Sequence, residues 1–240
     1  MALCWTAACG RGDDLSLAFS AVTIDELTQH IQILAADSFE GRSPSSPGEE
    51  RTIAYLQEGF SRLGLQPGNG DSYFQDVPLV SITTDPKAAT LSVAGGGRTI
   101  QLRYGPDFMG WTKRVVERVD VRASDMVFVG YGIIAPEYGW NDYEGVDVKG
   151  KTVLILVNDP GFATQDSTLF TGNAMTYYGR WTYKFEEAAR QGAAAALIVH
   201  ETEPASYPWE VVTGSWSGEQ FDLVRVDDNM SRVAVEGWVT

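Results

Sequence analysis

Between residues 149 and 203, apolar and polar positions fall into blocks that read as strand, loop, helix, strand. Residues 151–158 carry the unbroken apolar run Thr152-Val-Leu-Ile-Leu-Val157, as a strand covered on both faces would. Asp159-Pro160-Gly161 stops it with turn residues. Residues 183–191 then predict a helix, with Phe185, Ala188 and Ala189 on one side and Gly192 placed to end it. Residues 195–199 are a second buried strand.

Upstream the period is helical. Thr23-Ile-Asp-Glu26 is a capping box, and Ile24, Leu27, Ile31 and Leu34 recur at helix spacing. Ser46-Pro47-Gly48-Glu49 is a second capping box with proline at the first helical position. Its stripe is Ile53, Leu56, Phe60 and Leu63, and Gly64 ends it. Each stripe has to bury against something. Residues 10–22, polar and rich in Gly and Asp, read as a disordered arm. After residues 67–71 the pattern changes to strands: 73–80, 89–93, 98–102, 124–130 and 231–236. Gly95-Gly96-Gly97 predicts a hairpin turn, because a phosphate-binding loop would need a helix after it and none follows.

Composition narrows the function classes. The chain has 240 residues, 44% apolar and 21% charged, with a net charge of −14. Such an acidic chain repels phosphate backbones and anionic membranes, and its basic residues are scattered, so a nucleic-acid partner is excluded. No run approaches the ~20 apolar residues of a membrane helix. Cys4 and Cys9 are the only cysteines, so the rest of the chain holds no disulfide and no thiolate ligand. A cysteine-free body suits the cytosol and a bacterial periplasm alike. Thr6-Ala7-Ala8-Cys9-Gly10 looks like the end of a bacterial lipoprotein signal, which makes Cys9 a candidate lipid anchor. The leucine usual three places before that cysteine is missing, and a truncated leader is the other reading.

Five segments in order resemble one family. They are Leu34-Ala-Ala-Asp-Ser-Phe-Glu-Gly-Arg42, Pro47-Gly-Glu-Glu50, Tyr55-Leu-Gln-Glu-Gly-Phe-Ser-Arg-Leu-Gly-Leu65, Val127-Phe-Val-Gly-Tyr-Gly-Ile133 and the block 149–203. The family contains the bacterial di-zinc aminopeptidases and their relatives of glutamate carboxypeptidase type, and the resemblance spans roughly residues 23–240. It implies an α/β chain: a protease-associated domain (open β-barrel or sandwich-like sheets with flanking helices) preceded by two helices of a zinc-peptidase catalytic domain. The parts would be 1–22, leader and flexible arm; 23–80, leading helices and first strand of an incomplete peptidase domain; and 81–240, the protease-associated domain. It also implies a periplasmic or secreted location, with a lipid anchor at Cys9 as an option.

The resemblance stops short of the metal. The family's zincs need two histidines and several carboxylates, with a further glutamate as base. This chain has only His30 and His200. His30 falls inside the first predicted helix and reads as a surface residue. His200 ends a predicted strand ahead of Glu201 and Glu203, and side chains at successive strand positions alternate direction rather than converge on a metal. No G-x-S-x-G nucleophile elbow is present. Asp227-Asp228 and Asp13-Asp14 read as solvated loop charges. No catalytic residue and no cofactor is therefore assigned to this chain; zinc is expected of the complete enzyme only.

The aromatic loop 175–183 holds the candidate binding residues Tyr178, Arg180 and Trp181. An arginine flanked by aromatics can hold a peptide carboxylate bidentately while the rings pack its side chains. Core packing where helix meets sheet is the competing explanation. The resemblance thus predicts part of a zinc-dependent exopeptidase of aminopeptidase type, in which two zincs would activate water and this segment would shape the substrate pocket as a lid. Its partners would be a peptide substrate and the catalytic domain. The alternative is a non-catalytic peptide- or protein-binding module, since protease-associated domains also occur in sorting receptors. The two leading helices separate the readings: a peptidase uses them and a binding module does not.

Overall fold

The computed structural model describes residues 11–240, with side chains from residue 15 onward. Cys4, Cys9 and the leader lie outside the described residues, as do the Asp13-Asp14 side chains. The chain forms two compact units that meet between Asp76 and Val77, earlier than the boundary expected after residue 80.

The first unit is helical. Helix α1 spans Arg11–Ala21, α2 Ile24–Leu34 and α3 Pro47–Arg62. A disordered arm was expected where α1 lies. Leu15, Leu17 and Ala18 carry ordinary helix propensity. The hydroxyl half of both expected capping boxes forms, while the Glu26 carboxylate takes the Thr23 hydroxyl and that of Glu49 the Ser45 amide in place of the N-cap amides. The Thr23 hydroxyl accepts the Glu26 amide at 3.2 Å, and the Ser46 hydroxyl accepts that of Glu49 at 3.3 Å. Yet α2 buries no residue at all, and α3 buries only Gly48.

The second unit is α/β. Its strands are β1 Leu79–Thr83, β2 Leu91–Gly95, β3 Arg98–Leu102, β4 Phe108–Trp111, β5 Met126–Phe128, β6 Ile134–Ala135, β7 Trp140–Asn141 and β8 Thr152–Leu156. Helices α4 (Pro160–Thr164) and α5 (Trp181–Arg190) lead to β9 (Ala195–Val199). Helices α6 (Thr202–Ala205) and α7 (Trp209–Trp216) lead to β10 (Glu219–Leu223) and β11 (Val235–Val239). The main sheet runs β4-β11-β9-β8-β5. Its last four strands are mutually parallel, and β4 closes one edge antiparallel to β11. Helix α5 packs on β9 and α7 on β4. The core between them is Val153, Ile155, Ala196, Ile198, Phe185, Trp216 and Trp238, all buried.

Several expected elements shift. The strand expected over 73–80 joins no ladder before Leu79, where Pro78, lacking an N–H, gives way to β1. β1 pairs with β10, whose polar sequence gave no strand signal. The final strand is 235–239, not 231–236. The Asp227 carboxylate accepts the Ser231 and Asn229 amides and turns the chain there, so Val233 is buried before the ladder starts. The strand expected over 124–130 keeps only 126–128; Gly130 and Gly132, both at positive φ, carry the chain away. The glycine hairpin forms as expected, with Gly96 and Gly97 left-handed between paired Gly95 and Arg98.

Candidate functional site

The parallel strands β8 and β9 end on the same edge of the sheet, where open α/β sheets place ligand sites. A cleft of about 110 Å³ lies there, lined by Val157 after β8, by Met175, Gly179, Arg180 and Trp181 at the start of α5, and by Ala205 and Tyr207 beyond β9. Arg180 is the N-cap residue of α5, extended at φ −71° and ψ 139°. No side chain caps that helix end, so its first amides join the guanidinium in favouring negative charge. Arg180 is exposed and forms no ion pair among the described residues. Burial pushes the Tyr207 phenol up, and Arg180 pulls it back down. Trp181 is half-buried, edge-on to Trp216 at 5.5 Å and to Phe185 at 6.2 Å.

Of the three residues singled out in the sequence, two therefore meet on one cleft. Tyr178 sits in a separate aromatic cluster. Its ring is 5.8 Å from Phe170 and 4.9 Å from Tyr183, and Phe170 stacks on Tyr138 at 4.3 Å. Its hydroxyl donates to Glu137 Oε1 at 2.7 Å. That bond, with a smaller contribution from burial, pushes its pKa up to about 12.

Sequence reasoning missed the polar groups beneath the cleft. Asn158 reads as the end of the strand run 151–158 and Asp159 as the first turn residue after it, but both are buried polar groups. Lys184, on α5, is also fully buried; its Nζ donates to the Tyr131 carbonyl at 2.6 Å and the Tyr178 carbonyl at 3.1 Å. Burial pushes this lysine down to about 7, against the pull of Asp142 and Asp159. On the other flank of Trp181, Glu236 of β11 is 1% exposed, and its Oε2 has no partner. Burial pushes it up to about 7, against the pull of Lys113 and Arg232. Nothing in a local sequence window marks such groups, because their burial depends on which strands flank β8 and β11.

The histidines do not converge. His30 is exposed, and its Nδ1 hydrogen-bonds the Tyr55 hydroxyl. His200 is buried against Tyr207, Trp209 and Trp238, with Nε2 3.0 Å from the Tyr207 carbonyl, while Glu201 and Glu203 are exposed. Among the described residues no group of three or more His, Cys, Asp and Glu side chains could hold a metal ion. The described residues therefore do not fit a zinc centre. Among the described residues no helix is long and apolar enough to cross a membrane.

No known family's sequence model matches this chain, and no curated protein matches it.

Proposed function

We propose that the chain is part of a zinc-dependent exopeptidase of the aminopeptidase type, and that it contributes substrate recognition rather than the metal centre. The second unit is read as a protease-associated domain acting as a lid, with the cleft at Arg180 taking a peptide carboxylate. The first unit is read as the leading helices of a catalytic domain. A periplasmic or secreted location, with Cys9 as a candidate anchor, goes with that reading.

One observation carries it. Helices α2 and α3 are well capped, yet their apolar stripes face outward: Ile24 is 82% exposed and Leu63 78%, with Leu27, Ile31, Leu56 and Phe60 also exposed. Capped amphipathic helices with bare stripes need a further apolar surface to cover them. A self-sufficient binding module has no use for such helices, which is why the peptidase reading is preferred.

Hydrogen exchange tests it. The amides of α2 and α3 should exchange with little protection, while those of Thr152–Leu156 are strongly protected. Equal protection in both places would mean that the stripes need no partner, and the reading falls. The cleft is tested by NMR titration of N-acetyl-Ala-Ala against its C-terminal amide. The acid should bind and the amide should not; equal binding of the two removes the carboxylate assignment.

A further inference from the structure

We infer that Asn158 and Asp159 are positioning residues that set the separation of the two cleft walls; this rests on the reading of the Arg180 cleft as a ligand site. The pair follows β8 directly, and neither side chain lines the cleft. Asp159 reaches one wall. Its Oδ2 accepts the Thr176 amide at 3.0 Å and the Thr176 hydroxyl at 2.7 Å, between the wall residues Met175 and Gly179. Its Oδ1 accepts the Gly161 amide at 3.1 Å. Asn158 reaches the other wall. Its Nδ2 donates to the Pro204 carbonyl at 2.8 Å, next to the wall residue Ala205. The pair is locked to itself, since Asn158 Oδ1 accepts the Asp159 amide at 2.8 Å.

Three features mark this as a device for holding geometry. A carboxylate at 0% exposure is costly to bury, and an apolar side chain of similar shape could fill the space more cheaply. Here three of the five bonds made by the two side chains go to segments bordering the cleft, and the other two lock the pair and its turn. Asn158 is left-handed at φ +69°, a conformation asparagine tolerates better than most residues, which aims its amide at Pro204. Finally, the wall is pressed against the pair. A Cβ on Gly179 would lie 3.1 Å from both Asn158 Oδ1 and Asp159 Oδ2, and 2.6 Å from Met175 Cγ. Glycine at 179 lets the turn before Arg180 sit directly on the two polar groups, so their positions are passed to the guanidinium through one residue.

Thr176→Val removes only the hydroxyl donor, and Thr176→Ser restores it. Removing Asp159 itself could unfold the loop, so the milder pair is the primary test. In the full chain, Thr176→Val should weaken N-acetyl-Ala-Ala roughly fivefold, as expected for partial loss of a charge-assisted bond. Thr176→Ser should bind and melt like the parent, whereas Thr176→Val should melt a few degrees lower, because a bond to a buried carboxylate is lost. The Gly179 and Arg180 amides, which donate to Thr176 and Tyr177 carbonyls, should exchange faster in Thr176→Val alone. Asn158→Gly, which tolerates the left-handed backbone, should instead speed exchange at Ala205 and Ser206. Unchanged affinity and exchange in Thr176→Val overturns the inference. If the parent chain binds neither acid nor amide, the ligand reading fails; the exchange at Gly179 and Arg180 then decides the positioning role by itself, faster in Thr176→Val supporting it and unchanged refuting it.

Discussion

Arg180 and Trp181 are neighbours on the same cleft, but they differ in what else they hold. Arg180 is exposed and, among the described residues, forms no ion pair, so Arg180→Ala should weaken N-acetyl-Ala-Ala roughly tenfold and leave the melting temperature unchanged. Trp181 also packs on Trp216 and Phe185, so Trp181→Ala should lose both affinity and several degrees of melting temperature. Calorimetry beside the titration separates the two, and a stable Trp181→Ala with unchanged binding would remove Trp181 from both roles. The buried charges make a second residue-scale prediction. Glu236 binds its proton more tightly folded, at about 7, than unfolded, near its ordinary value of 4.5. Its neutral form therefore adds stability that is fully present below pH 4.5 and lost as pH rises to about 7, on the order of 3 kcal/mol. Lys184 has the opposite slope. It holds its proton less tightly folded, at about 7, than unfolded at 10.5, so its stability term rises with pH between those values. Urea melts across pH should show Glu236→Gln flattening the first slope and Lys184→Met the second. A variant that left its slope intact would mean that the group is not desolvated as described. The arginine and tryptophan were legible in the sequence because a loop rich in aromatics is unusual. Tyr178 misled because its aromatic neighbours Phe170 and Tyr138 are supplied by other loops.

At the scale of elements, caps and periods carried most of the information. Thr23, Ser46, Pro47 and Gly64 mark α2 and α3 almost to the residue, because capping chemistry is local. The apolar runs behind β8 and β9 are equally plain, because a parallel strand buried on both faces must be apolar throughout. β4 and β10 escaped notice. Each is an edge or ribbon strand that owes its ladder to a distant partner, β11 for one and β1 for the other. β11 itself was placed too early. Val233 and Val235 share one alternating phase, so period alone cannot say where the ladder begins. Gly237 shows what that central strand demands. A Cβ there would lie 2.7 Å from Leu197 Cδ2 and 3.0 Å from the Met109 carbonyl, contacts from both neighbouring strands. Gly237→Ala should cost about 1–3 kcal/mol, read as an earlier urea midpoint. An unchanged midpoint would mean that the strands on either side spread at no cost.

At the scale of the whole molecule, the division between Asp76 and Val77 makes the last prediction. β1 finds its partner β10 inside the second unit, so residues 77–240 contain every strand of the main sheet and of the ribbons. That segment alone should unfold in one cooperative transition within a few degrees of the full chain, whereas residues 1–76 alone should show no cooperative transition, their stripes being bare. A cooperative melt of residues 1–76 would show that the helices form their own core. By itself, the sequence determined the α/β class of the second unit, the capped helices ahead of it, and the loop that carries Arg180. These follow from short-range physics: period, capping and turn chemistry. Only the tertiary structure decided that Arg180 and Trp181 share a cleft while Tyr178 does not, and that Asn158, Asp159, Lys184 and Glu236 are buried. It also decided that the stripe residues Ile24, Leu27, Ile31, Leu56, Phe60 and Leu63 are exposed. Each of those outcomes depends on which segments far apart in the chain lie side by side, and no local pattern of residues encodes the solvent exposure that such neighbours remove.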